Sequence, residues 1–242
     1  MALLLATPLA LLPATGLAAE PLLPRAQRPG LGAEDPRRPV TAEEAPWSGL
    51  ARVQTTLGGR CTGALVGPRL VLTAAHCLAA RAGRWVRPGS VHVLVGYHLG
   101  EWALHARVEA FETGAAAPAS GAPGGDWALL RLDRDLAGPE RVLPLLRDPP
   151  PRGAPAMLGG YQQDRAERLM ADTDCRLLGP ARDATGRPLL RHGCSGTRGS
   201  SGAPLLTRDG EGRWAVAGVV VMAEARRAGG IAVPVGAIGP LR

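Results

Sequence analysis

Apolar and polar positions alternate in this chain over runs of five to eleven residues, and Gly or Pro pairs interrupt the runs before a helical period can develop. Residues 50–57, 61–66 and 69–73 form a first group, separated by Gly58-Gly59 and Gly67-Pro68. Residues 91–95, 103–110 and 127–132 extend it. A second group comprises residues 154–160, 168–178, 189–193, 203–207, 213–222 and 230–235. Each run has strand length and strand period, so the pattern predicts an all-β protein with short turns. The proline-dense stretch 136–152 divides the groups and reads as a crossing between two units. The predicted organisation is therefore an N-terminal unit over 46–135, a linker over 136–152 and a C-terminal unit over 153–242.

The first forty-five residues lack this alternation. Residues 1–19 carry no charged side chain and end in Gly16-Leu17-Ala18-Ala19, which reads as a signal peptide cut after Ala18 or Ala19. Pro8 and Pro13 argue against a spanning helix there. Residues 20–45, rich in Pro, Glu and Arg, read as a propeptide or a loosely attached arm.

Composition changes this picture little. The 242 residues include 33 Gly and 23 Pro, in keeping with many turns. The net charge of +7 comes from 28 basic residues, all of them arginine, because the chain has no lysine. These arginines stand singly or in pairs without aromatic interleaving, so they describe a solvated basic surface and not a nucleic-acid partner. Four cysteines in an exported chain suggest two disulfides in preference to a metal site, and three pairings satisfy the count. His92, His98, His105 and His192 lack the spacing of a zinc site, and phosphate-loop and dinucleotide motifs are absent.

Three short stretches carry candidate chemistry. Thr73-Ala74-Ala75-His76-Cys77 ends a predicted strand, Asp126-Trp127-Ala128-Leu129-Leu130 begins one, and Gly199-Ser200-Ser201-Gly202-Ala203-Pro204 reads as a tight turn exposing a hydroxyl. A serine hydroxyl needs a base and an orienting acid to become a nucleophile, and the order His, Asp, Ser supplies both. In these motifs the chain resembles the trypsin/chymotrypsin-like serine proteases, over about residues 45–236. The resemblance implies two six-stranded antiparallel β-barrels with the active site in the cleft between them. His76 and Asp126 then fall in the first barrel and Ser201 in the second, and Ser201 attacks the scissile bond. The amides of Gly199 and Ser201 form the implied oxyanion hole. The resemblance also pairs Cys61 with Cys77 around the histidine, leaving Cys175 with Cys194.

Two positions depart from the animal pattern. Ser200 stands where those proteases carry the aspartate that receives a newly cut N-terminal amine, so the turn is expected to be pre-formed, as in the bacterial glutamyl-endopeptidase-like branch. Val221 stands where many relatives have a serine whose hydroxyl supports the aspartate. Ser195, Arg198 and Val221 are the candidate substrate-pocket residues, and no preference for the residue before the scissile bond is assigned. The expected function is a secreted or periplasmic, monomeric serine endopeptidase acting on proteins or peptides without a cofactor. The alternative is a weakly active or inactive protein of the same fold that binds at the cell envelope.

Overall fold

The computed structural model describes residues 24, 28–115, 117, 121–136 and 138–239. The proposed signal peptide lies outside the described residues.

Thirteen strands are present among them. β1 (Arg38–Pro39) precedes β2 (Leu50–Thr55), β3 (Arg60–Gly67), β4 (Leu70–Thr73), β5 (Val91–Val95), β6 (Leu104–Thr113) and β7 (Ala128–Leu132). After the crossing come β8 (Pro155–Gly160), β9 (Met170–Arg182), β10 (Pro188–His192), β11 (Pro204–Arg208), β12 (Trp214–Ala223) and β13 (Gly230–Pro234). Strands β2 to β7 close into a barrel in the order β2-β3-β4-β7-β6-β5. Strands β8 to β13 close a second one, because β9 pairs with both β8 and β10, and β1 is added to β9. Closure leaves neither six-stranded sheet with an unpaired edge.

The interiors show why these residues adopt this form. Leu50, Val53, Leu72, Val91, Val93, Leu130 and Leu132 are almost fully buried in the first barrel. Gly63 is required between strands, since a Cβ there would lie 2.7 Å from Val71 Cγ1 and 2.9 Å from Val53 Cγ2. Leu158, Leu177, Leu190 and Leu205 fill one part of the second barrel. The barrels meet where Trp47 lies on Gly159 of β8, a fit that a Cβ 2.6 Å from the indole would prevent.

The described part of the arm departs from the loose attachment expected for it. β1 pairs Arg38 with Ala171 and Pro39 with Met170, and both Leu31 and Arg37 are buried. A search for apolar runs overlooks this anchor because its main contact is a buried ion pair. Bounds elsewhere shift by a few residues: β9 runs on to Arg182, through a Gly-Pro pair that pattern alone reads as a turn, and β6 to Thr113, both carried by backbone pairing.

Candidate active site

His76 is positioned by β4. The buried strand ends at Thr73, and the small, buried Ala74 and Ala75 let the chain turn tightly into the 3-10 segment Ala75–Leu78. Asp126 caps another 3-10 turn, Pro123–Gly125, at the entrance to β7. Its Oδ1 accepts the His76 amide at 2.8 Å, and its Oδ2 lies 2.7 Å from His76 Nδ1. A carboxylate against Nδ1 places the neutral ring's proton on that nitrogen and leaves the Nε2 lone pair as a base.

The Ser200-Ser201 turn is built around two glycines. Gly199 has φ +93° and Gly202 φ +79°, values in the left-handed region. A Cβ on Gly199 would stand 2.3 Å from Tyr161 O, and one on Gly202 would stand 2.1 Å from Thr73 Oγ1. Gly202 thus packs the turn directly on the end of β4, just before His76. Cys77 Sγ lies 3.9 Å from Ser201 O, so the same loop flanks the turn again.

The adjacent serines have different environments. Ser200 is buried, and its hydroxyl donates to Thr197 O at 2.6 Å. Ser201 is half-exposed, and among the described residues its hydroxyl has no hydrogen-bond partner. Nor do the amides of Gly199 and Ser201 meet a protein acceptor among the described residues. Thr62 of β3 holds the turn from the other barrel: its amide donates to Ser201 O at 2.9 Å and its hydroxyl to Gly199 O at 2.9 Å. The same hydroxyl accepts the Tyr161 amide at 2.9 Å. Nothing in the sequence singled out Thr62 beyond its place beside Cys61.

A second support, also missed from sequence, comes from the arm. Arg37 donates to Asp164 Oδ2 at 2.7 Å and Oδ1 at 3.1 Å, to Asp35 Oδ2 at 2.8 Å, and to Gln162 Oε1 at 2.6 Å. Gln162 Oε1 also accepts the Thr197 amide at 2.8 Å, and the Gly196 amide donates to Gly30 O at 3.2 Å. Burial by itself would raise the Asp164 carboxyl, but hydrogen bonding and charge from Arg37 hold it below its usual value. Arg37 is held protonated by the same pairing despite its own burial. The segment leading to Ser201 is therefore tied to an internal charge cluster.

The other candidates are dispersed. Ser195 is buried, with its amide donating to Asp172 Oδ2 at 2.7 Å. Val221 lines a hollow of about 140 Å³ together with His76, Asp126, Trp85 and Met222. Arg198 lines a separate hollow beside Gly199. The structure thus does not gather Ser195, Arg198 and Val221 into one pocket. Cys61–Cys77 and Cys175–Cys194 are disulfides with S–S distances of 2.00 and 2.04 Å. Both sulfurs near His76 are joined to each other, so that cluster offers no thiolate to a metal. His92 and His105 stack on each other, while His192 is fully buried.

Two closed six-stranded β-barrels, with a histidine–aspartate pair from one facing a glycine-flanked serine turn from the other, define the class of two-barrel serine peptidases. The sequence model of the Trypsin family matches residues 36–239, and the chain belongs to that family as a serine peptidase. Among solved structures it is similar to a Glu endopeptidase in complex with MPD, with TM-score 0.69 and 18% identity. That match covers 84% of this chain and 92% of the other, and it shows the shared fold.

Proposed function

We propose that the protein is an exported serine endopeptidase of the glutamyl-endopeptidase-like branch in which Ser201, His76 and Asp126 form the catalytic triad. Ser201 Oγ attacks the scissile carbonyl carbon while His76 Nε2 takes its proton. The Gly199 and Ser201 amides receive the oxyanion, and His76 then protonates the departing amine. Water, deprotonated by His76, releases the acyl group and restores Ser201. Asp126 keeps the imidazole in the tautomer this sequence needs and stabilises its charged form. The reading assigns no cofactor, a monomeric state and protein or peptide substrates.

The observation that carries this reading is the pairing of Asp126 with both the ring and the amide of His76, beside a half-exposed Ser201 and two unoccupied amides. Two disulfides favour an oxidising compartment, in line with the apolar residues 1–19 acting as an export signal. Among the described residues no helix is long and apolar enough to cross a membrane.

The test is hydrolysis of an unfolded protein, with new termini mapped by mass spectrometry. Asp126→Asn is expected to lower kcat by about four orders of magnitude with the fold retained. Undiminished cleavage by His76→Ala or Ser201→Ala would refute the assignment.

A further inference from the structure

Beside the oxyanion turn lies a hollow of about 300 Å³ lined by Arg52, Arg60 and Arg198 together with Tyr161 and Gly199. It shares no lining residue with the His76–Val221 hollow. A peptide crossing Ser201 therefore has different surroundings on its two sides.

The covalent path identifies the side. Arg60 precedes Cys61, Cys61 is bonded to Cys77, and Cys77 follows His76. Arg60 thus sets the hollow at the Cys61 end of the disulfide whose other end follows the histidine. On the opposite side, Val221 and Met222 of β12 border the His76 hollow beyond the end of the β11 pairing at Val219, so this short stretch can pair with an extended acyl segment although the barrel is closed. The arginine hollow is left to the chain that departs.

Its charge is only partly answered from within. Arg52 is buried, stacks 4.0 Å over the Tyr97 ring, and meets Glu167 at 3.5 Å, yet its Nε has no hydrogen-bond partner. Glu167 also accepts the Tyr97 hydroxyl, so one carboxylate serves two donors. Arg60 and Arg198 are exposed and form no salt bridge among the described residues, and Arg60 acts only through its charge on the same Glu167. Three guanidinium groups line the hollow and Glu167 answers only two of them, which makes a site for another carboxylate, because planar forks bind that group in two-point fashion.

We infer that this hollow is a specificity subsite that selects a carboxylate on the leaving side of the scissile bond, from either an Asp/Glu side chain or a free C-terminus. The inference rests on the proposed triad for its orientation but makes a separate prediction about binding. Peptides of one sequence would carry Glu or Gln at each of the first three leaving-side positions, with amidated C-termini. A further peptide would carry Gln throughout and a free C-terminal carboxylate at the third position.

The kcat/KM of the wild type is expected to be about tenfold higher for the best Glu peptide than for its Gln partner. The ratio should shrink with added salt and fall towards one in Arg60→Ala/Arg198→Ala. A free-carboxylate peptide matching the Glu peptide would identify the terminus as a second source, and a Glu-only effect would restrict the site to side chains. Fluorescence anisotropy of the same leaving-side peptides on Ser201→Ala reads binding without turnover. Glu and Gln peptides of equal affinity on that variant would overturn the inference even if the wild type is active. Selective binding by a protein that hydrolyses nothing would retain the subsite and refute the triad.

Discussion

Asp126 and Ser201 enter the site from different barrels and are held by different kinds of contact. The serine turn is held by fully buried side chains: Thr62 donates to its two carbonyls, and Gln162, oriented by Arg37, accepts the Thr197 amide. The aspartate loop is fixed near the surface, where Gly124 donates to Asp183 Oδ2 at 3.0 Å and Arg187 Nη1 donates to Gly114 O at 3.1 Å. Apart from His76, no side chain is bonded to the Asp126 carboxylate among the described residues, and Val221 beside it has no hydroxyl to offer. The proposed oxyanion turn, which must be rigid before substrate arrives, thus has buried supports. The aspartate, which chiefly orients the histidine, depends on contacts that solvent weakens.

Breaking the buried support should have the largest effect. Arg37→Ala leaves Asp164 with only the longer contact to Arg28, at 3.5 Å, among the described residues, and is expected to destabilise the protein by about 3 kcal/mol in urea unfolding. It should also lower kcat more than it raises KM, while Arg37→Ala/Asp164→Ala recovers much of the stability. Loss of stability with kcat unchanged at a temperature where the variant is folded would confine Arg37 to a structural role.

Acid probes the second barrel more gently. Burial lowers the His192 pKa to about 4, and the only opposing influence is a weak approach of the Cys194 backbone that falls short of a well-formed hydrogen bond. The unfolded chain takes up this proton near pH 6.5 and the folded chain near 4, so stability falls as pH drops between those values. The His192 share is roughly 3 kcal/mol, and His192→Gln should flatten that part of the profile. Asp164 behaves differently: its lowered value means the cluster with Arg37 keeps its ion pair above the usual carboxylate range and loses it only as pH falls through the lower folded pKa. An unchanged profile in His192→Gln would remove His192 from the explanation.

The aspartate side should respond least. Val221→Ser would give Asp126 a second donor and raise kcat by about fivefold, equivalent to roughly 1 kcal/mol. Asp183→Asn, which weakens the bond to Gly124 at the surface, should lower kcat by only about two- to threefold, and less in high salt. If Asp183→Asn were more damaging than Arg37→Ala, the contrast between the two supports would be reversed.

Alternation and turn residues were sufficient to read the barrel strands, because inward residues such as Val91, Val93 and Val95 must be apolar in any pairing. β1 escaped notice, since two residues flanked by prolines and charges carry no period and its anchor is the Arg37 side chain. Within the site, His76, Asp126 and Ser201 stood in recognisable local motifs, and the structure brings their loops together. Thr62, Gln162 and Arg37 did not, because they act through backbone groups distant in sequence. Similarly, Arg52 and Arg60 looked like scattered surface charge until the barrels placed them around one hollow with Arg198, which the motif had already marked as a pocket candidate.

The most direct test of the triad is covalent labelling of the folded, disulfide-bonded protein with a fluorophosphonate, followed by peptide mapping. The account requires an adduct on Ser201 that is lost in Ser201→Ala and kept in Ser200→Ala, whose hydroxyl is already bonded to Thr197 O. An adduct on Ser200, or no adduct on the folded protein, would contradict it.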